Sequence, residues 1–404
     1  MGVVAVSAPE GRLPSEVWVL VAANFVIAAG FGLVAPALPT FARSFDVSVT
    51  AASVVVSAFA VARLVFAPAS GRLVSALGER RVYLAGITIV AVSTGMCAFA
   101  ANYWQLLVFR SLGGFGSCMF TVSAIALLIR LTPAPMRGRA SGLWGTGFLL
   151  GSVAGPLLGG GLLTISLRAP FLVYALLLLV AVLIVWWFLR HSTLAAKVDA
   201  ETSPFTVREA LRERAYVAAL GASFANGWAV FGVRVSLVPL FVEEVLHRDG
   251  AFAGTALAVF AVGNVLMLLV SGRMADSWGR KPVVLLGLVV AAGGTVWVGF
   301  TSDVPTFLAA TVVAGLGAGL LSPPLQATVA DVIGSRGRGG PVLATFQMTA
   351  DIGAVLGPIV AGLLADGLSY TAAFALTGSL CALAALGWLP ARETLPSKVL
   401  ARQE

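Results

Sequence analysis

Residues 58–72 read AFAVARLVFAPASGR, and residues 259–273 read VFAVGNVLMLLVSGR, 201 positions further along the chain. Both segments are apolar and end in the same Ser-Gly-Arg. Two further pairs of motifs recur at the same or nearly the same spacing: Gly114 and Gly116 with Gly315 and Gly317, and Gly155-Pro156 with Gly357-Pro358, the last pair offset by one more residue. Three separate matches at nearly one spacing indicate that the chain is a duplication of one structural unit.

The composition restricts each unit to membrane-spanning helices. Hydrophobic residues make up 59% of the 404 positions and charged residues 11%, whereas about 25% of residues are charged in typical soluble domains. A helix of about 20 apolar residues spans a bilayer, and each half holds six apolar runs of about that length. They are 17–40, 51–71, 82–101, 104–131, 141–165 and 170–189, then 215–242, 252–272, 282–301, 304–330, 342–365 and 369–389. The sequence therefore predicts an all-α polytopic membrane protein, with twelve transmembrane helices in two pseudo-symmetric six-helix bundles.

The polar segments between these runs define the expected organisation of the chain. We expect an N-terminal tail at 1–16, a first bundle at 17–189, a linker at 190–214, a second bundle at 215–390 and a C-terminal tail at 391–404. Parallel duplicated bundles are a known plan of membrane transporters, in which the substrate site lies between the halves near the bilayer midplane.

The basic residues report how the chain is oriented in the membrane. Of the 26 Lys and Arg residues, 20 lie in the segments on the side of the two tails, three in the loops on the other side and three within spans. Because short cytoplasmic loops retain positive charge, the sequence predicts a multi-pass cell (inner or plasma) membrane protein with both termini cytoplasmic. The formal net charge of +8 is thereby explained by topology in a lipid bilayer, and no nucleic-acid partner is expected.

A glycine-rich loop follows the eighth apolar run, with the sequence Gly272-Arg-Met-Ala-Asp276-Ser-Trp-Gly279-Arg280-Lys281. Glycines permit a tight turn, the carboxylate can pair with an arginine or lie at a helix N-terminus, and the basic pair can remain at the lipid headgroups. The equivalent segment after the second run begins at Gly71 and contains Ser75, Gly78 and Arg80-Arg81. A serine thus replaces the carboxylate in the first half.

The fifth apolar run carries a regular series of glycines. The series is Gly142, Gly151, Gly155-Pro156 and Gly159-Gly160. Gly151, Gly155 and Gly159 are four residues apart, so they share one helix face where a partner backbone can approach closely. Pro156 removes a backbone hydrogen bond and permits a kink. A single Gly-xxx-Gly is common in membrane helices as a packing motif, but the complete spacing is more specific.

These motifs resemble those of the major facilitator superfamily, and within it the twelve-span drug:proton antiporter branch. Segment 272–281 is similar to the family's cytoplasmic gating motif, with a degraded copy at 71–81. Arg110, Gly114 and Gly116 resemble its Arg-x-x-x-Gly-x-Gly motif, although Gly113 stands in place of the usual glutamine. Segment 142–160 is similar to the branch's antiporter motif.

The resemblance implies a function as well as a fold. It implies proton-coupled efflux of small amphipathic or drug-like molecules by alternating access, as in multidrug resistance, with protons as the coupling ion. It also implies that the gating loops help to hold the outward-facing state and that Arg110 takes part in proton coupling. A monomer is expected.

Four charged residues lie within the spans, Arg63, Arg110, Arg234 and Asp351. A charge is costly in hydrocarbon and therefore tends to face a cavity or a partner. At 1.5 Å per residue, Arg63 and Asp351 lie about 12 and about 13 Å from the same membrane face. Since the second and eleventh helices are neighbours in the resembled fold, we predict a breakable Arg63–Asp351 pair; contact of Arg63 with backbone carbonyls or water is the alternative. Arg234 lies near the outer end of its helix, where snorkelling and substrate contact are both open.

Uncharged polar residues complete the predicted substrate and proton pathway. They are Asn24, Asn226, Asn264 and Gln347, and Asn264 is the repeat mate of Arg63. The first six spans contain no carboxylate, so proton coupling would depend on Asp351, or on Arg110 acting with substrate or water. Three arginines against one aspartate in the spans leave room for acidic or neutral substrates.

Other classes of function find little support in the sequence. Both histidines, His191 and His247, lie in loops, and no His-Glu-x-x-His or nucleotide-binding motif occurs, which disfavours an intramembrane enzyme. Cys97, Cys118 and Cys381 lie in apolar runs without metal-ligand spacing. We expect no cofactor, no metal and no catalytic residue. The main alternative to efflux is a proton-coupled symporter for a small acidic or neutral metabolite.

Overall fold

The computed structural model describes residues 13–132, 137–190, 206–333 and 340–395. Within these ranges twelve helices are long and apolar enough to cross a membrane, and no strand is present. The predicted fold class is confirmed. Parts of the predicted tails and linker, residues 1–12, 191–205 and 396–404, lie outside the described residues.

The first six spans form the first half of the molecule. They are α1 (Ser15–Val34, continued by Ala37–Arg43), α2 (Val49–Leu77), α3 (Glu79–Ala98), α4 (Tyr103–Leu131), α5 (Arg137–Leu163) and α6 (Ala169–Leu189).

The other six spans form the second half, preceded by a short helix at Val207–Ala210. They are α7 (Arg214–Asn226, a π-helical segment Gly227–Val233 and Arg234–Glu244), α8 (Gly250–Trp278), α9 (Arg280–Gly299), α10 (Val304–Gly319 and Ser322–Ile333), α11 (Gly340–Gly367) and α12 (Tyr370–Trp388). Twelve crossings place residues 13 and 395 on the same membrane face, here named the termini face; the opposite one is the far face.

Side-chain caps mark the helix starts on the far face. The residues that precede α2, α4, α8, α10 and α12 are Ser48, Asn102, Asp249, Asp303 and Ser369, and each accepts a hydrogen bond from the backbone N–H three residues further on. Such a cap satisfies one of the N–H groups that a helix leaves unpaired at its start. These caps allow short loops to reverse the chain on this face.

The reversals after α2 and α8 are tighter than the sequence predicted. Both helices continue through most of the predicted loops, and each ends at a single glycine, Gly78 or Gly279, with φ of +83° and +106°. Positive φ is accessible to glycine because it lacks a Cβ. One such residue is enough to reverse the chain, so α3 and α9 begin immediately afterwards.

Each half packs around its own core. Tyr83 and Phe171 are fully buried in the first half, and Phe307 and Trp388 are fully buried in the second. Between the halves, α2 packs against α11 and α5 packs against α8. The molecule is therefore two bundles that meet mainly along these two helix pairs.

Candidate functional site

The α2–α11 pair joins the halves on the far-face side of the membrane. The carboxylate of Asp366 accepts hydrogen bonds from the backbone N–H groups of Val49 (3.0 Å) and Thr50 (2.7 Å) and from the Thr50 hydroxyl (2.5 Å). Further along the pair, the Ser57 hydroxyl donates to the Val355 carbonyl at 2.7 Å. A carboxylate of one half thus lies at the N-terminus of a helix of the other, where negative charge is stabilised.

The α5–α8 pair makes a second, close contact near the same face. A Cβ on Gly160 would lie 2.7 Å from the Ala251 carbonyl oxygen, and one on Gly254 would lie 2.4 Å from the Pro156 carbonyl oxygen. Both distances are far below van der Waals contact. Only residues without a side chain fit at this crossing.

An ionic cluster joins the halves at the far face itself. Arg43, at the end of α1, lies 3.0 Å from Glu244, at the end of α7. The Tyr370 hydroxyl at the start of α12 donates to the other oxygen of the same carboxylate at 2.7 Å. Together with Asp366 and the α5–α8 crossing, this cluster closes the far face.

A cavity of about 470 Å³ lies between the halves, on the termini-face side of these contacts. This central cavity is lined by α1 and α5 of the first half and by α7, α8 and α10 of the second. Polar groups and aromatic rings share the wall: Ser152, Asn226, Arg234, Asn264, Ser322 and Gln326, with Phe31, Phe148, Phe231 and Phe260. Its volume is in the range of small-molecule sites, about 300–1,000 Å³.

A smaller side cavity of about 140 Å³ lies mostly within the first half. Asn24 and Arg63 line it, and it shares Phe31, Phe148 and Phe231 with the wall of the central cavity. Asn24 also donates its Nδ2 to the Trp144 carbonyl at 2.9 Å. Asn24 and Arg63 therefore line the side cavity and not the central one, and three phenylalanine rings border both cavities.

The predicted contact between Arg63 and Asp351 is confirmed. Nη2 of Arg63 lies 3.8 Å from Oδ1 of Asp351, and the two side chains are 31% and 27% exposed. The pair lies further toward the termini face than the Ser57–Val355 hydrogen bond. It is thus a charged contact that adds to the packing and hydrogen bonds between α2 and α11.

Arg110 is buried behind the side cavity. Its guanidinium lies 4.2 Å from the centre of the Phe59 ring, which lines that cavity, and its Nε has no hydrogen-bond partner among the described residues. Arg110 itself is in the lining of neither cavity.

Arg234 follows the π-helical segment of α7 and lies in the wall of the central cavity. It is 5% exposed, and its guanidinium is 3.9 Å from the centre of the Phe260 ring. A π-helical turn holds more residues than an α-turn and so changes the direction of the residues after it. This buried place at the cavity wall favours substrate contact over snorkelling, and contact with a substrate stays a prediction.

The remaining pathway candidates divide between wall and surface. Asn226 and Asn264 line the central cavity. Gln347 is exposed and is in the lining of neither cavity.

The four phenylalanines of the central cavity were missed by the sequence analysis. For Phe260 the repeat offered one indication, because Phe59 and Phe260 are equivalent positions and the ring of each lies under an arginine.

The glycine series of α5 packs against α1. A Cβ on Gly151, Gly155 or Gly159 would lie 2.6, 2.3 or 2.2 Å from the carbonyl oxygen of Phe25, Ala29 or Leu33, respectively. The predicted close approach of a partner backbone is confirmed. Gly160 faces the opposite way, toward α8. The surroundings of Gly142 and Gly71, which are helical, lie outside the described part.

The loop between α8 and α9 is the centre of a polar network on the termini face. Arg280 pairs with Asp276 and, through Nε, with Asp331 on α10 at 3.2 Å. Glu393 accepts the backbone N–H groups of Arg280 (2.8 Å) and Lys281 (3.1 Å). The motif thus ties α8 to α10 and to the segment after α12.

The corresponding turn in the first half has a different partner. Arg80 donates to the Arg190 carbonyl at the end of α6, at 3.0 Å. Sequence analysis did not identify Asp331 or Glu393, because both approach the motif from distant parts of the chain.

Comparison with known proteins adds independent information. The family model described as Major Facilitator Superfamily matches residues 20–247 and 219–404. Tetracycline resistance protein, class B, of Escherichia coli is 27% identical over 340 residues, which cover 82% of this chain and 84% of that protein. Multidrug resistance protein 1 of Bacillus subtilis (strain 168) is 25% identical over 352 residues, 85% of this chain and 87% of that protein.

A solved structure shows the same fold. The bacterial homolog to the human lysosomal transporter Spinster, in its inward-facing and unoccupied conformation, matches with a TM-score of 0.75 at 17% identity. The match covers 94% of this chain and 97% of that one.

Proposed function

The chain belongs to the Major Facilitator Superfamily, and from that premise we propose that it exports small amphipathic or drug-like molecules in exchange for protons by alternating access. The family consists of membrane transporters, so the chain is a transporter and not an enzyme. It is a multi-pass membrane protein with twelve spanning helices. We place it in the plasma membrane, with the termini face in the cytoplasm, because that face carries most of the basic residues.

The central cavity is the single observation that carries this proposal. It lies between two repeat-related bundles, it has the size of a drug site, and the far-face contacts between the bundles all lie on one side of it. With the termini face in the cytoplasm, this arrangement corresponds to an inward-facing conformation. Breaking the far-face contacts and closing the termini face would expose the same cavity to the outside.

The relatives favour export over uptake. The two relatives named above are a tetracycline resistance protein and a multidrug resistance protein. The α5 glycine series, similar to the antiporter motif of the branch, favours the same direction.

We assign proton coupling to Asp351. It lies between the halves within the membrane, away from the far-face carboxylates Glu244 and Asp366, and its contact is Arg63. Protonation of Asp351 would remove the charge that attracts Arg63. A proton and the Arg63 guanidinium would therefore compete for one carboxylate, and proton binding would weaken the contact between α2 and α11. This gives a physical route by which proton binding changes the conformational equilibrium.

Everted membrane vesicles with an acidic interior test the proposal. Tetracycline, or a member of a panel of amphipathic drugs, should dissipate the preformed pH gradient in vesicles that contain the wild-type protein. Asp351→Asn should slow this response by about tenfold, the effect of losing about 1.4 kcal/mol. Asp303→Asn, which changes an aspartate in a far-face loop, is the matched control and should respond as the wild type does.

Two results would overturn the proposal. One is an unchanged gradient across the whole panel while immunoblots show the wild-type protein in the vesicles. The other is a higher drug content in intact cells that produce the protein than in cells that lack it, which would indicate uptake.

A further inference from the structure

We propose that the central cavity selects amphipathic organic anions, aromatic molecules that carry a carboxylate or a similar acidic group, and that Arg234 is their counter-ion. The assignment rests on the proposed transport function and names the substrate class of the same cavity. Four observations lead to it: the burial of Arg234, its lack of an acidic partner, the composition of the wall and the contrast with the other arginines of the spans.

Within the described part of the chain, Arg234 is a buried cation without a compensating anion. The residue is 5% exposed, and its Nη1 has no hydrogen-bond partner among the residues that the structure describes. In that part of the chain it forms no ion pair with a carboxylate. Burying an unpaired charge is costly. An anion that pairs with the guanidinium would therefore bind more tightly than it would in a cavity with a neutral wall.

The packing of α7 fixes the position of Arg234. The π-helical segment Gly227–Val233 immediately precedes it, and the Phe260 ring of α8 lies 3.9 Å from its guanidinium carbon. Two residues earlier in α7, a Cβ on Gly232 would lie 2.9 Å from a Pro358 side-chain atom, so α7 also packs closely against α11. The ring supports the cation through its face but offers it no negative charge, which leaves the pairing role to an occupant of the cavity.

The wall around Arg234 suits an aromatic anion. The described lining contains no aspartate and no glutamate, so Arg234 is its one formal charge. Amides of Asn226, Asn264 and Gln326 provide neutral donors and acceptors, and four phenylalanine rings provide apolar surface. A cationic molecule would find no carboxylate and would be repelled by the guanidinium, whereas an anion would form charge-assisted hydrogen bonds.

The other arginines of the spans are occupied differently. Arg63 contacts Asp351, and Arg110 lies behind Phe59, outside the lining of both cavities. Among the described residues, Arg234 is therefore the one arginine of the spans that lines the central cavity and has no acidic partner.

Three probes with one ring system separate charge from shape: naphthylacetate, naphthylacetamide and naphthylethylammonium, which are anionic, neutral and cationic. Their affinities are measured by calorimetry on the purified full-length protein in phosphatidylcholine nanodiscs. We expect the wild type to bind naphthylacetate about tenfold more tightly than naphthylacetamide, as a charge-assisted bond predicts, and naphthylethylammonium most weakly. This rank order needs no variant.

Substitutions then test whether Arg234 is responsible. Arg234→Gln should weaken naphthylacetate binding by about tenfold and change naphthylacetamide binding by less than about twofold. Arg234→Lys, which keeps the charge, should retain a preference for the anion. Arg248→Gln is the matched control, because it makes the same change at an exposed far-face loop residue and should leave all three affinities as in the wild type.

Transport of the same probes distinguishes failure of this inference from failure of the transport function. Proteoliposomes that carry naphthylacetate no better than naphthylacetamide, and equally well with and without Arg234, would leave the transport function standing and overturn the anion site. Tight, Arg234-dependent binding of naphthylacetate without movement of any probe would support the site and contradict the transport function. Equal affinity of the wild type for the anion and the amide, or no binding of the anion, would overturn the inference.

Discussion

Nη2 of Arg63 lies 3.8 Å from Oδ1 of Asp351, so α2 of the first half and α11 of the second are joined by opposite charges within the membrane. The two residues are 288 positions apart. Toward the far face the same helix pair is held by the Ser57–Val355 hydrogen bond and by the bonds to Asp366. The ion pair is therefore a part of this helix junction, away from the far face, that a single proton can change.

We expect exchange of the two charges to restore what single substitutions remove. Arg63→Asp and Asp351→Arg each place like charges together, and each should abolish drug resistance. The double variant, Arg63→Asp with Asp351→Arg, should recover part of it, with a coupling of about 1 kcal/mol in thermal unfolding because both side chains are partly exposed. Arg168→Asp, in an exposed loop, controls for reversal of a charge. A double variant no more active than the singles, in a folded protein, would refute a direct pair.

Loss of the Asp366 charge should favour opening of the far face. Asp366→Asn weakens the bonds to the start of α2 by about 1 kcal/mol, which corresponds to roughly a fivefold shift in population. Pulsed electron paramagnetic resonance between spin labels at positions 168 and 248, after replacement of Cys97, Cys118 and Cys381, should show a larger population at long distances.

Asp303 offers a matched control for this experiment. It caps α10 through the Thr306 N–H at 3.0 Å, and that bond lies within one half. Asp303→Asn should leave the inter-label distances unchanged. If both variants shift the distances alike, or neither does, the contact of Asp366 with α2 does not hold the far face closed.

The α1–α5 contact should not tolerate one extra methyl group. A Cβ on Gly155 would lie 2.3 Å from the Ala29 carbonyl oxygen, whereas one on Gly161 has no atom within 4 Å. We expect Gly155→Ala to destabilise the protein by about 1–3 kcal/mol through overpacking, and Gly161→Ala to be neutral or slightly stabilising. Thermal unfolding in detergent measures both. Equal unfolding temperatures would contradict this packing.

Removal of Glu393 should weaken the termini-face network of the second half. Its carboxylate accepts the first backbone N–H groups of α9, from Arg280 and Lys281, in the way an N-cap does. Glu393→Ala should therefore cost about 1 kcal/mol of stability. Arg392→Ala, at the exposed preceding position, should cost little. The free energies of unfolding of the two variants decide the question, and a larger loss for Arg392→Ala would refute the capping role.

Much of the candidate site was predictable because its signals are local. Burial in lipid requires long apolar helices, so the twelve apolar runs along the chain were enough to predict twelve spans. The four-residue spacing of Gly151, Gly155 and Gly159 placed them on one face of α5. Depth along a helix is a count of residues, and equal depths for Arg63 and Asp351 followed from it once the order of the helices was taken from the resembled family.

Other features depended on how the helices pack. The sequence by itself determined two duplicated bundles, the buried charges and the turn glycines, because periodicity and hydropathy are properties of neighbouring residues. Only the tertiary structure decided that α1 receives the α5 glycines and that Asp366 and Glu393 lie at the starts of α2 and α9. It also decided that Arg234 lines a cavity together with Phe260 and that the described lining of this cavity holds no acid. Each of these contacts joins segments far apart in the chain, and helix packing, which local patterns do not encode, selects which segments meet.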